Sequence, residues 1–155
     1  MTVGQMKPEF LTVEDVLGIH AQVIAEFGGE GALRDLALLE SAVAMPQQTF
    51  GGEFLHDSLF AMAAAYLFHI TQNHAFVDGN KRTAHTATLV FLRLNLIVID
   101  RDVEQLEELT MGVAEGHLDK AAIAAELEAI WMAETKGEAV VDVNDSIGGE
   151  EPQGG

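Results

Sequence analysis

The stretch "LFAMAAAYLF" from Leu59 to Phe68 constrains the fold more than any other part of the chain. It is too short to cross a bilayer, and polar residues flank it. A helix this apolar on every side has to be covered on nearly all sides by other elements. The 155 residues, 48% of them apolar, are enough to build that cover as one domain with a real core.

The other helices announce themselves by local signals. Thr12 with Asp15 reads as a capping box, Asp standing in for the usual Glu or Gln. Apolar positions from Val13 to Phe27 recur at helical spacing, and Gly28-Gly29 stops that helix. A second helix is expected from about Leu33 to Ala44, ending before Pro46. "QQTFGGEF" reads as a loop. The apolar helix starts near Asp57 or Ser58 and reaches about Gln72. A fourth helix is expected from about Asn80 to Leu94. "LIVID" (Leu96 to Asp100) is short and β-branched enough to be extended. Asp102, with Gln105 after it, reads as the cap of a fifth helix that ends near Glu115 before Gly116. Asp119 caps a sixth, ending near Thr135. The fold class is all-α, about six helices in one domain over residues 1–135. Residues 136–155 are acidic and Gly-rich and read as a disordered tail, with "AVVDV" weighed as an edge strand.

Charge excludes several functions. Eight cations against 25 acids give a formal net charge of −17. Binding to nucleic acid rests on phosphate neutralisation by Lys and Arg, so direct nucleic-acid binding is not expected. Anionic membranes are disfavoured for the same reason. There is no Cys, which rules out disulfides and thiolate metal sites and fits a cytoplasmic address. The N-terminus has no apolar core of signal-peptide length. A small anionic ligand remains possible if the few cations gather, and Lys81, Arg82 and Arg93 do gather within thirteen residues.

Lys81 and Arg82 belong to "NHAFVDGNKRTAH" (Asn73 to His85), a loop leading into the fourth helix. Gly79 lets a ligand approach the backbone closely. Free N–H groups and the helix dipole make that helix start receptive to phosphate. Cations in the first turn oppose the dipole, at a cost of about 0.3–1 kcal/mol each. A bound anion relieves that conflict. Asp78 has the chemistry to hold Mg²⁺ beside substrate phosphates, or simply to cap the helix. A histidine side chain has an intrinsic pKa near neutrality, about 6.5, so His74 has the chemistry of a general base. Phe76 is expected to turn into the core. Taken singly, each residue is ordinary turn chemistry. A metal site from His69, His74 and His85 is the weaker reading, because their spacing does not make a helical pair.

"HAFVDGNKR" resembles the signature of the Fic/Doc family, His-x-Phe-x-(Asp/Glu/Asn)-(Gly/Ala)-Asn-(Gly/Lys)-Arg, at every defined position. "IHAQVIAEFGGEGALRDLALLESAVAMP" (Ile19 to Pro46) is similar to the N-terminal segment of the Doc, or death-on-curing, branch. The similarity spans about Leu11 to Ile130. It implies a helical domain with the motif loop before a central helix. It also implies ATP and Mg²⁺ as cofactors and nucleotide chemistry on a protein hydroxyl. By the same resemblance His74 is the general base, Phe76 the loop anchor and Asp78 the Mg²⁺ ligand. Gly79, Asn80, Lys81 and Arg82 hold phosphate. Lys81 stands where nucleotide-transferring members carry Gly, and His85 where they carry a second Arg. That pattern implies γ-phosphoryl transfer, with elongation factor Tu as the target. AMP transfer and a weakly active binding module are the alternatives. His85 is either an accessory to the site or a plain polar residue on the helix. Glu115-Gly116 does not complete an inhibitory helix, since Met111 stands where Ser or Thr is required. Inhibition is therefore expected from an antitoxin with a flexible C-terminal segment.

Overall fold

The computed structural model describes residues 7–148, with side chains described as far as Lys136. Thr12 opens α1 (Val13–Phe27) with the expected capping box: its side chain accepts from the Asp15 N–H, and the Asp15 carboxylate accepts from the Thr12 N–H. Asp35 caps α2 (Leu36–Ala44), which continues into a short 3₁₀ turn at Met45–Gln47. The expected start at Leu33 is therefore three residues early. Leu33 instead forms an antiparallel bridge with Phe76. "QQTFGGEF" is not a plain loop but a small hairpin, β1 (Thr49–Phe50) against β2 (Glu53–Phe54). Gly51 and Gly52, both at positive φ, make its turn.

Ser58 caps α3 (Leu59–Asn73), the apolar helix. Met62 through Leu67 are completely buried. α4 (Asn80–Leu94), α6 (Lys120–Gly148) and α2 pack against it, with α5 (Glu104–Ala114) closing a further side. The run Ala63-Ala64-Ala65 lets these neighbours approach closely. Tyr66 is the polar residue of this segment, and its hydroxyl accepts from the Leu11 N–H at 2.9 Å, tying the N-terminal strap to the core. The all-α expectation holds, the hairpin being its only sheet among the described residues.

"LIVID" is not extended. Leu96 sits at φ 70, where the Leu96 and Ile97 N–H groups cap the last carbonyls of α4. This is a Schellman ending with Leu where Gly is usual. Val103, not Asp102, is the boundary residue of α5, because the Asp102 N–H is turned to the Asp100 carboxylate. Asp119 caps α6 as expected, accepting from the Ala122 N–H. That helix runs past Thr135, where an end was expected. Gly137 alone does not stop a helix, and "AVVDV" lies inside it with its backbone satisfied along the helix rather than at a sheet edge. The rest of the expected tail, residues 149–155, lies outside the described residues. Among the described residues no helix is long and apolar enough to cross a membrane.

Candidate active site

The motif loop runs from the end of α3 to the start of α4, and each residue of it has a mechanical role. His74 ends α3 in the left-handed conformation, φ 51. Its backbone carbonyl accepts from the Arg34 Nε at 2.7 Å. Its ring is exposed, with no hydrogen-bond partner among the described residues. The Arg34 and Asp35 N–H groups both donate to the Ala75 carbonyl, and the Val77 N–H donates to the Ala32 carbonyl. The loop is thus zipped to residues 32–35.

Phe76 is 2% exposed and turns into the core, as expected. The Asn80 amide clasps the Phe76 backbone: the Phe76 N–H donates to the Asn80 Oδ1 at 3.1 Å, and the Asn80 Nδ2 donates to the Phe76 carbonyl at 2.9 Å. The Asn80 side chain thus shapes the loop, while its backbone N–H and its second Nδ2 hydrogen remain to meet a ligand in the pocket it lines. Gly79 precedes α4 at φ 82, and no side chain caps the helix there. The first N–H groups of α4 therefore keep their hydrogens free.

Asp78, Gly79, Asn80, Lys81 and Arg82 line one side of a pocket of about 440 Å³, and Gly28, Gly29 and Phe27 line the other. The Asp78 Oδ2 accepts from the Glu30 N–H at 2.8 Å, leaving the second carboxylate oxygen for a ligand. Among the described residues, no group of three His, Asp or Glu side chains is placed to hold a metal. A cation here would have one protein carboxylate and the phosphates of a substrate, which fits Mg²⁺ rather than a metal caged by protein. The Arg82 guanidinium lies 3.8 Å from the centre of the Phe27 ring. That stacking favours one direction for it and leaves its N–H donors without a partner among the described residues. The Lys81 amine lies 3.8 Å from the Met111 sulfur.

Lys81 and Arg82 also line an adjoining cavity of about 540 Å³, where His85 sits with Arg101 and Glu107. Burial pushes the His85 imidazole below its ordinary pKa, against the opposing pull of a hydrogen bond to the Arg101 backbone and of the Glu107 carboxylate. His74 lines neither cavity. His69 lies apart from both, with its Nε2 at 3.2 Å from the Lys120 amine.

The loop's support from α1 was not anticipated. His20, Val23, Ile24 and Phe27 share one face of that helix and form the floor under the motif. A Cβ on Gly79 would stand 3.3 Å from the Ile24 Cδ1 and 3.5 Å from the Val23 Cγ1. One on Gly29 would stand 3.2 Å from the Asp78 Cβ. The available signal was His20 itself, a polar residue inside an apolar helical stripe.

The fold and the site together define an α-helical domain with an uncapped, cation-bearing helix start beside a carboxylate and an exposed imidazole. The chain belongs to the Fic/Doc family, whose model matches residues 10–92. Its relatives place it in the Doc branch. It is 45% identical over 131 residues to the Toxin Doc of Mycolicibacterium smegmatis, a match covering 83% of this chain and 98% of that protein. It is 31% identical over 121 residues to the Protein kinase doc of Escherichia phage P1, covering 78% of this chain and 94% of that one.

Proposed function

We propose that this protein is the toxin of a toxin–antitoxin pair and transfers the γ-phosphoryl group of ATP to a protein hydroxyl, blocking translation. Elongation factor Tu is the target that the family resemblance suggests. One observation carries the reading: the scarce cations of an acidic chain meet at the free N–H groups of α4, in a pocket edged by Asp78. The relative named a protein kinase supports it further.

In this reading the α4 N–H groups and Gly79 receive phosphate oxygens. Arg82, aimed by Phe27, and Lys81 offset their charge. Mg²⁺ held by Asp78 would supply further charge neutralisation at those oxygens. His74, exposed at the loop's edge, takes the proton from the target hydroxyl. The hydroxyl oxygen bonds to the γ-phosphorus, the bond from that phosphorus to the β–γ bridging oxygen breaks, and ADP leaves. The protein partner that silences the site is an antitoxin whose flexible C-terminal segment folds onto it. The net charge of −17 favours a basic segment there.

The test is transfer of label from γ-labelled and α-labelled ATP to proteins of a cell extract with Mg²⁺ present. Label from the γ position alone is expected. Label from the α position alone rejects phosphoryl transfer in favour of AMP transfer. His74→Ala is expected to lower the rate by about 10²–10⁴-fold, the usual worth of a general base.

A further inference from the structure

His20 makes more contacts with the motif than a core residue needs. It is 4% exposed, in the middle of α1. Its ring lies flat on the Phe76 ring, with centroids 3.7 Å apart and planes within 8°. Its Nε2 is 2.8 Å from the Asp78 carbonyl. A carbonyl only accepts, so that nitrogen carries the hydrogen. Its Cδ2 would lie 3.6 Å from a Cβ on Gly79. Three motif residues in succession of role (the anchor, the carboxylate bearer and the helix-opening glycine) therefore meet one imidazole.

The Asp78 carbonyl belongs to the peptide that enters Gly79. Donation from His20 fixes the rotation of that peptide. With it are fixed the left-handed turn at Gly79 and the direction of the first α4 N–H groups. Phe76 sets the ring's height, and Asn80 holds Phe76 from the other side. A phenyl group could stack on Phe76 as well, yet could not donate. A volume argument alone does not explain a histidine here.

We propose that His20 is the positioning residue of the transfer site, holding the Asp78–Gly79 peptide so that the α4 N–H groups and the Asp78 carboxylate address one phosphate. This rests on the phosphate-binding reading of the pocket. His20 touches no substrate. Its effect travels through the backbone hydrogen bond.

The experiment compares wild type, His20→Phe, His20→Gln and His20→Asn in the full chain. Binding of ATP with Mg²⁺ is measured by calorimetry, the Gly79 and Asn80 amide resonances by NMR on adding ATP, and folding by thermal melting. Gln carries its amide nitrogen about as far out as the imidazole Nε2, whereas Asn falls short. His20→Phe is expected to stay folded, weaken ATP binding about tenfold or more, and lose the ligand-induced shifts at Gly79 and Asn80. His20→Gln is expected to bind within about threefold of wild type. If His20→Phe melts far below wild type, the comparison of Gln with Asn decides, with Gln expected to bind at least fivefold tighter. Equal binding by Phe and wild type, or by Gln and Asn, overturns the proposal. No ATP binding by folded wild type brings down the phosphate reading itself and this proposal with it. That outcome is distinct from loss in the variants alone.

Discussion

Gly79 concentrates the constraints on this loop. It opens α4 at φ 82, where a side chain is strained by about 1–2 kcal/mol. Ile24, Val23 and His20 leave little room beneath it. Gly79→Ala is therefore expected to lower stability by about 1–2 kcal/mol, read from the urea midpoint. It should also weaken ATP binding by more than that loss explains, because the α4 N–H groups turn with the glycine. Unchanged binding in calorimetry would mean that the corner's conformation does not matter to the ligand. The residues of this corner were legible because they are contiguous: Asp78, Gly79, Lys81 and Arg82 carry their chemistry within one turn of helix. His20 was not, because its bond to Asp78 closes over 58 positions of sequence. Asn80 was half legible. Its place in the motif was evident, but the residue type alone does not say that its amide turns back over four positions to the Phe76 backbone.

Among the elements, α3 and α6 meet at an unusual contact. The Lys120 amine at the start of α6 lies 3.2 Å from the Nε2 atoms of both His56 and His69. Burial first, and then the Lys120 charge, push the His69 imidazole down to about 4 and lower that of His56. The unfolded chain takes up a proton at each histidine near pH 6.5. The folded chain resists doing so until about pH 4 at His69. The unfolded state therefore binds more protons across that window, and stability falls as pH is lowered from about 6.5 towards 4. His69→Gln keeps an acceptor for Lys120 and cannot titrate. Its melting temperature should fall less between pH 7 and pH 5 than that of wild type, and parallel profiles would remove His69 as a source of acid sensitivity. The elements themselves were legible where the signal is local. Thr12 and Asp15, Ser58 and Asp119 mark helix starts by bonds that span three residues. Leu33 was misplaced because its partner, Phe76, is remote. The ending at Leu96 was missed because a leucine takes the conformation that sequence reasoning reserves for glycine.

For the whole molecule, electrostatics works against the fold. The net charge is −17, and the ion pairs among the described residues both involve Arg101, with Glu26 and Asp102, at exposed positions. Such exposed pairs contribute little, while like charges spread over the surface repel. Salt shortens that repulsion: the Debye length falls from about 30 Å at 0.01 M to about 8 Å at 0.15 M. The melting temperature is expected to rise as NaCl increases from low to physiological concentration, by scanning calorimetry. A flat or falling curve would mean that the acids are locally compensated. The same salt should weaken capture of the basic antitoxin segment proposed as its partner.

The exposed Gly28-Gly29 turn links the α1 floor to Glu30, whose N–H clasps Asp78. Both sides of the pocket thus depend on an unprotected tether far from the motif in sequence. A single proteolytic nick there would leave every motif residue chemically whole and yet part the floor from the clasp, which stays on the loop through residues 32–35. A lesion that opens this pocket need not touch its signature at all.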